Sequence, residues 1–293
     1  MRKTNYFNIA EHGVCISFCD GNNSMELLPS FRPFVCNDEP ASILFSLTVD
    51  DAIKPVKERE LIRKFDTGNG DTIVYRLHDG GYQYIIRDIR NRDCCLLIAN
   101  SDFTECRCAL NGDTVMRSFG LNDALMLAYA FAGAFHHTML IHASTIMKDD
   151  YGYPFIAESG TGKSTHSALW LTHIENCQLM NDDNPIIRIM EDGLPYIYGS
   201  PWSGKTPCYR NIKAKLGAVT RIERAPKNSI ERLAPVQAFA SVLPACSSMK
   251  WDATIYNHLC DAVSRIIETT PIFTLYCLPD EEAAQICHKT IAR

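Results

Sequence analysis

The chain has no Lys/Arg-rich run, no low-complexity tract and no internal repeat. Lys and Arg number 29 against 34 Asp and Glu, a net charge of −5. Without a concentrated basic face there is no electrostatic footprint for nucleic acid. The first residues, Met1-Arg2-Lys3-Thr4-Asn5-Tyr6-Phe7, lack an apolar core, so no secretory signal is expected. Metal-ligand spacings are missing too: there is no C-x-x-C pair among the cysteines and no H-E-x-x-H among the histidines, which speaks against zinc. There is no G-x-S-x-G elbow for a serine hydrolase and no Asn-Lys-x-Asp guanine reader for a GTPase.

What is present has the balance of a globular protein: 293 residues, 46% apolar and 22% charged. That length suits one large domain or two ordinary ones. The 13 cysteines are irregularly spaced and odd in number, which suits a reducing cytosol where thiols act as small apolar residues, so a cytoplasmic location is expected. The run 124–147 carries no Asp, Glu, Lys or Arg and is long enough to span a bilayer. It also holds His136, His137, His142 and Gly133, and lacks aromatic belts and a basic flank. It reads as a buried helix over 122–136, capped by Asn122 or Asp123, followed by a buried strand over 139–147. No membrane partner is expected.

The character of the chain changes near residue 120. Residues 1–120 read as β-rich, with short aromatic and β-branched runs at 6–9, 14–18, 42–49, 72–78, 82–88 and 95–99 separated by turn residues. No catalytic motif shows there; docking of a substrate or of a second subunit in a homo-oligomer is the role its position suggests. Residues 121–293 alternate strands (155–157, 177–180, 185–190, 195–198, 216–222, 272–278) with helices (162–174, 235–243, 255–268, 281–291). The expectation is an α/β domain with a mixed sheet behind a smaller β-rich region, α+β overall.

Chemistry concentrates in the second part. Ala157-Glu158-Ser159-Gly160-Thr161-Gly162-Lys163-Ser164 fits the relaxed phosphate-loop pattern. By composition a chain of this length meets it by chance on the order of a few times in a hundred. The context adds weight: an apolar strand leads in and a helical run, beginning at Thr165, leads out. Glycines at 160 and 162 let backbone N–H groups turn around phosphate oxygens, and the helix N-terminus adds partial positive charge. Lys163 suits the β- and γ-phosphates of ATP, and the Ser164 hydroxyl suits Mg²⁺. A second match, Gly199 to Thr206, is rejected as a cradle: Pro201 has no N–H, Trp202 is bulky where backbone must approach phosphate, and no helical period follows. That loop suits an active-site edge, with Trp202 as a wall and Lys205 and Arg210 as cations for phosphate or an acidic substrate; a plain surface loop with a buried tryptophan fits it nearly as well.

Asp182-Asp183 follow the strand 177–180, nineteen and twenty residues after Lys163. One carboxylate can hold Mg²⁺ and its neighbour can accept a proton from an attacking hydroxyl. The same residues, flanked by Asn181 and Asn184, also fit a plain turn. His142, in an apolar strand fifteen residues before Ala157, fits a core histidine as well as a functional one.

Taken together, His142-Ala143-Ser144, the loop 157–164 and Asp182-Asp183 resemble the HPr kinase/phosphorylase group, whose nucleotide-binding fold is shared with phosphoenolpyruvate carboxykinase. The likeness covers roughly 120–290. It implies a C-terminal P-loop kinase domain of that type. Ser159 to Thr165 would cradle ATP, Ser164 and Asp182 would hold Mg²⁺, Asp183 would be the base, and His142 would lie near the acceptor. Ala157 stands where the family has its leading glycine. The expected activity is transfer of the γ-phosphoryl group of ATP to a hydroxyl of a protein, peptide or small molecule. A small carboxykinase-like enzyme and a nucleotide-binding regulator without turnover are the alternatives.

Overall fold

The computed structural model describes residues 3–292 except 20, 67 and 69. The chain divides into two compact units, Met1–Phe135 and His136–Arg293. The division lies beyond the composition change at 120, because the long helix packs on strands of the first unit.

The first unit is one nine-stranded sheet. Its strands are β1 (Lys3–Ile9), β2 (His12–Phe18), β3 (Val35–Cys36), β4 (Ile43–Val49), β5 (Arg59–Asp66), β6 (Asp71–Leu77), β7 (Tyr82–Arg87), β8 (Asp93–Ala99) and β9 (Glu105–Leu110). They lie in the order β3-β1-β2-β4-β9-β8-β7-β6-β5. Helix α1 (Thr114–Ala134) lies on β4, β7, β8 and β9. It starts well before the expected 122: Asp113, not Asn122 or Asp123, is the cap, accepting from the Met116 amide at 3.0 Å. Gly120 permits the close approach to the sheet, since a Cβ there would stand 2.9 Å from the Cys94 carbonyl oxygen. Strand β5 was not expected because nearly every residue in it is exposed, so it carries no apolar alternation.

The second unit is built on a mixed sheet. Its elements are β10 (Thr138–Leu140), β11 (Ala143–Lys148), β12 (Tyr151–Ile156), α2 (Lys163–His173), β13 (Cys177–Asp183), β14 (Ile186–Ile189), β15 (Pro195–Tyr198), β16 (Lys213–Leu216), β17 (Val219–Arg224), β18 (Ser229–Arg232), α3 (Pro235–Val242), α4 (Ala253–Thr269), β19 (Ile272–Cys277) and α5 (Glu281–Ile291). The main path runs β10-β14-β15-β16-β12-β17-β19-β18, and β11 bridges β12 and β13. Strands β12, β17 and β19 run parallel.

Alternation along the strands makes three layers. Tyr153 and Phe155 of β12 join Trp170 of α2 and Ala283, Cys287 and Ile291 of α5. Ile156 turns to the opposite face, with Ala238 and Val242 of α3 and Leu259 and Val263 of α4. Both faces of the sheet are therefore covered by helices. Asp252 caps α4 through the Ile255 amide, and Asp280 caps α5 through the Ala283 amide, both at 3.0 Å.

Two expected strands are broken. The run 139–147 splits into β10 and β11 around Ile141 and His142, whose amides bond to the carbonyls of Pro185 and Ala245. The run 216–222 splits between β16 and β17 at Gly217 and Ala218. All thirteen cysteines are free thiols. Burial pushes the Cys246 thiol up to about 12, as suits core filling. Among the described residues, no helix is long and apolar enough to cross a membrane.

Candidate functional site

Strand register brings the sequence-predicted residues together. Ala143, the first residue of β11, pairs with Ile156 on one side and with Asp183 on the other. His142 therefore precedes β11 at the sheet end where β12 gives way to the glycine-rich loop and β13 ends in its two carboxylates. Residues far apart in the chain meet because β11 lies between the two strands that carry them.

The loop from Ala157 to Gly162 joins β12 to α2. Gly160 and Gly162 have φ of +79° and +132°, conformations that favour glycine, and a Cβ on either would meet nothing within 4 Å. Gly162 is the N-cap of α2, with no side-chain cap bond. The first amides of α2 therefore lack intrahelical acceptors, the condition under which a helix N-terminus can take an anion. Arg224 of β17 holds the loop from behind, donating to the Gly160 carbonyl at 2.6 Å and to the Thr161 carbonyl at 3.0 Å. Lys163 closes the loop in front, donating to the Ala157 carbonyl at 3.1 Å. Ser159 and Thr165 stand exposed beside it, and Thr161 is half-buried.

Adjacent side chains on β13 point to opposite faces, so the two carboxylates diverge. Asp182, only 5% exposed, accepts from the Ser164 hydroxyl at 2.8 Å. Asp183 meets His142 Nδ1 at 3.0 Å through its Oδ1, and its Oδ2 accepts from Asn184 at 2.7 Å. His142 Nε2 lies 2.9 Å from Lys163 Nζ. An ammonium can only donate, so Nε2 is the acceptor and Nδ1 carries the ring proton toward Asp183. A continuous polar chain results: Asp183, His142, Lys163. Burial pushes the Lys163 ammonium below the usual lysine range, and the carboxylates of Asp183 and Asp182 oppose that shift. Residues 182 and 183 are thus part of a strand rather than a free turn. The turn chemistry resides in Asn181, whose Oδ1 accepts from the amides of Asp183 and Asn184 at 3.1 and 2.9 Å.

The loop after β15 is tied to this strand. Asn181, fully buried, donates to the carbonyl of Trp202 at 3.0 Å and to Ser200 Oγ at 3.2 Å. The Gly204 amide donates to the Asp182 carbonyl at 2.6 Å. Trp202 is 3% exposed and acts as core. Lys205 is exposed at the loop tip. Arg210 is directed away from the carboxylates, donating to the Leu179 carbonyl and to Gln178 at 2.6 and 2.7 Å. No helix follows this second glycine–lysine string.

Among solved structures, the chain is similar to the HPr(Ser) kinase/phosphatase from Coxiella burnetii. That resemblance is weak: 12% identity and a TM-score of 0.29, covering 51% of this chain and 91% of that one. No protein-family model matches the chain. No curated protein matches it either.

Sequence reasoning missed several residues of the site. Asn181 is the hub between the carboxylates and the Trp202 loop. Arg224 clamps the glycine-rich loop across 63 and 64 positions in the chain. Ser144 and Ser167 bond at 2.6 Å and pin β11 to α2. The Asn on each side of the Asp pair was the one local signal; the others are long-range contacts with none. Among the described residues, no cluster of three or more His, Cys, Asp or Glu side chains is placed to hold a metal ion.

Proposed function

We propose that the C-terminal unit is a phosphotransferase that moves the γ-phosphoryl group of ATP, with Mg²⁺, to a hydroxyl acceptor. The observation that carries the reading is the Asp183–His142–Lys163 chain at the mouth of an uncapped, glycine-turned helix N-terminus. The donor set fits the nucleotide. Open space around both positive-φ glycines leaves the backbone accessible to phosphate, and the free amides of α2 match its oxygens.

Each residue then has a role. Lys163 leaves His142 for the phosphates, a step helped by an ammonium already partly desolvated. Ser164 and Asp182 hold Mg²⁺. Mg²⁺ held by one or two protein oxygens completes its shell with waters and phosphate oxygens. Bound MgATP supplies the electrophilic phosphorus with its charge partly neutralised. Asp183 accepts the acceptor's hydroxyl proton, and His142 holds that carboxylate in place. Catalysis of this kind is positioning plus charge stabilisation.

The test is a single-turnover assay with γ-labelled ATP, Mg²⁺ and a cell extract as acceptor source. The wild type should transfer label, and Lys163→Ala should lose both nucleotide affinity and transfer. If neither protein labels anything and both bind ATP equally, the proposal fails.

A further inference from the structure

A cavity of about 380 Å³ opens beside the glycine-rich loop. Its lining includes His142, Ala157, Glu158, Ser159, Arg221 and Ser241, with small apolar groups of α3 and the turn after it. The volume lies at the small-ligand end of the range for binding pockets.

Four features define what it suits. His142, bonded to Asp183, provides a proton-accepting pair at one end. Arg221 supplies a guanidinium; it pairs with Glu223 at 3.0 Å, and with five N–H donors it retains capacity for a second carboxylate. Glu158 adds an opposite charge to the lining. Ser241, on α3, is only 6% exposed, and its buried hydroxyl has no hydrogen-bond partner. Buried hydroxyls are normally satisfied, so an orphan lining a cavity points to a polar group supplied from outside.

We propose that this cavity takes the acceptor, and that the acceptor is a small hydroxylated zwitterion, a free hydroxy-amino acid, rather than a serine within a protein. The inference rests on the phosphotransferase reading above. The cation and anion of the lining match the two charges of an α-amino acid. Arg221 takes the carboxylate, Glu158 the ammonium, and Ser241 a remaining polar atom. The side-chain hydroxyl then lies beside His142 and reaches toward the carboxylate bonded to that ring, Asp183. In the transfer, the acceptor oxygen forms a bond to the γ-phosphorus, and the β–γ bridging P–O bond breaks with its electron pair leaving on ADP. The hydroxyl proton passes to Asp183.

The experiment follows ADP release from MgATP and identifies the product by ³¹P NMR. The acceptors are L-serine, L-threonine and L-homoserine, against L-alanine, ethanolamine and N-acetylserinamide as controls lacking hydroxyl, carboxylate or free charges. At least one hydroxy-amino acid should raise ADP release about tenfold over no acceptor and yield a phosphomonoester, with the controls inert. Arg221→Gln should raise the KM for that acceptor by about tenfold or more, and Arg221→Lys by less. Ser241→Ala should raise it about three- to tenfold. In each variant the KM for ATP should move less than the KM for the acceptor. Three results overturn the inference while leaving the phosphotransferase reading in place: transfer to N-acetylserinamide or a serine peptide but not to free amino acids, MgATP binding with no amino acid turned over, or unchanged acceptor KM in Arg221→Gln. Failure of the wild type to bind MgATP at all overturns the underlying reading instead.

Discussion

Replacing Asn181 by leucine, which is close in size, should be among the most damaging single changes in the second unit. The side chain is fully buried and donates to the Trp202 carbonyl and Ser200 Oγ while accepting from the amides of Asp183 and Asn184. Leucine satisfies none of these. The Trp202 carbonyl keeps only a shared donor, because the one Ser200 hydroxyl proton lies between it at 3.0 Å and the Asn184 carbonyl at 2.6 Å. The two amides have no such substitute in the Asn181 network. Leaving a buried donor unsatisfied costs about 1–3 kcal/mol. Two fully buried ones would cost about 2–6 kcal/mol; Asp183 and Asn184 are half-buried, so water recovers part, as does the added apolar volume. The expected loss is about 2–4 kcal/mol, a large fraction of the ~5–15 kcal/mol typical of a folded protein. For a unit of this size that corresponds to a melting shift of about 10 °C. Urea unfolding followed by tryptophan fluorescence reads it directly, since Trp202 is buried on the loop that Asn181 holds. Asn181→Asp keeps the acceptor, loses the donors and buries a charge beside Asp182, so it should be at least as unstable. A loss below about 1 kcal/mol in Asn181→Leu would refute the argument, because the hydrogen bonds would then be dispensable.

Two further outcomes test other parts of the structure. Gly162→Ala should destabilise by about 1–3 kcal/mol through backbone strain alone, because φ is +132° while a Cβ there meets nothing within 4 Å. Calorimetric titration should show MgATP affinity falling in the same variant, and unchanged stability and affinity would contradict the loop geometry. His166 is 3% exposed, and burial lowers its pKa from the ordinary 6.5 to about 4. Between those values the unfolded chain binds a proton that the folded chain does not. Stability is therefore full above pH 6.5 and falls as pH drops toward 4, by about 3 kcal/mol in all. Urea unfolding at pH 7 and 4.5 should show a smaller acid loss in His166→Phe than in wild type, and equal losses would sink the assignment.

Local signals were legible in the sequence. The strand, glycine-rich loop and helix around 155–174 follow from adjacent residues, and the structure has them as β12, the loop and α2. The Asp pair was legible as a pair, and alternation along β13 accounts for its two directions. The convergence was harder to read, because it depends on β11 lying between β12 and β13, a non-local pairing that no short pattern encodes. His142 therefore read equally well as a core residue. The charge-free run misled on the helix start: α1 begins outside it, at a cap eleven positions from the charge-free stretch's first residue, Ala124, because Asp113 and Asn122 are equally good caps taken alone. Strand β5 was invisible for the opposite reason, since an exposed strand has no apolar period. Trp202 is buried, as the plain-loop reading has it, and Arg210 donates to a backbone carbonyl, a long-range contact with no local signal.

The most direct test of the central claim separates binding from transfer at Asp183. Wild type and Asp183→Asn are compared by calorimetric titration with MgATP and by single-turnover transfer of labelled phosphate to an acceptor that the wild type uses. The amide keeps the size of the side chain and removes the proton acceptor that faces His142. The account predicts similar MgATP affinity and transfer slowed by about 10²-fold or more. Equal transfer rates in the two proteins would contradict it.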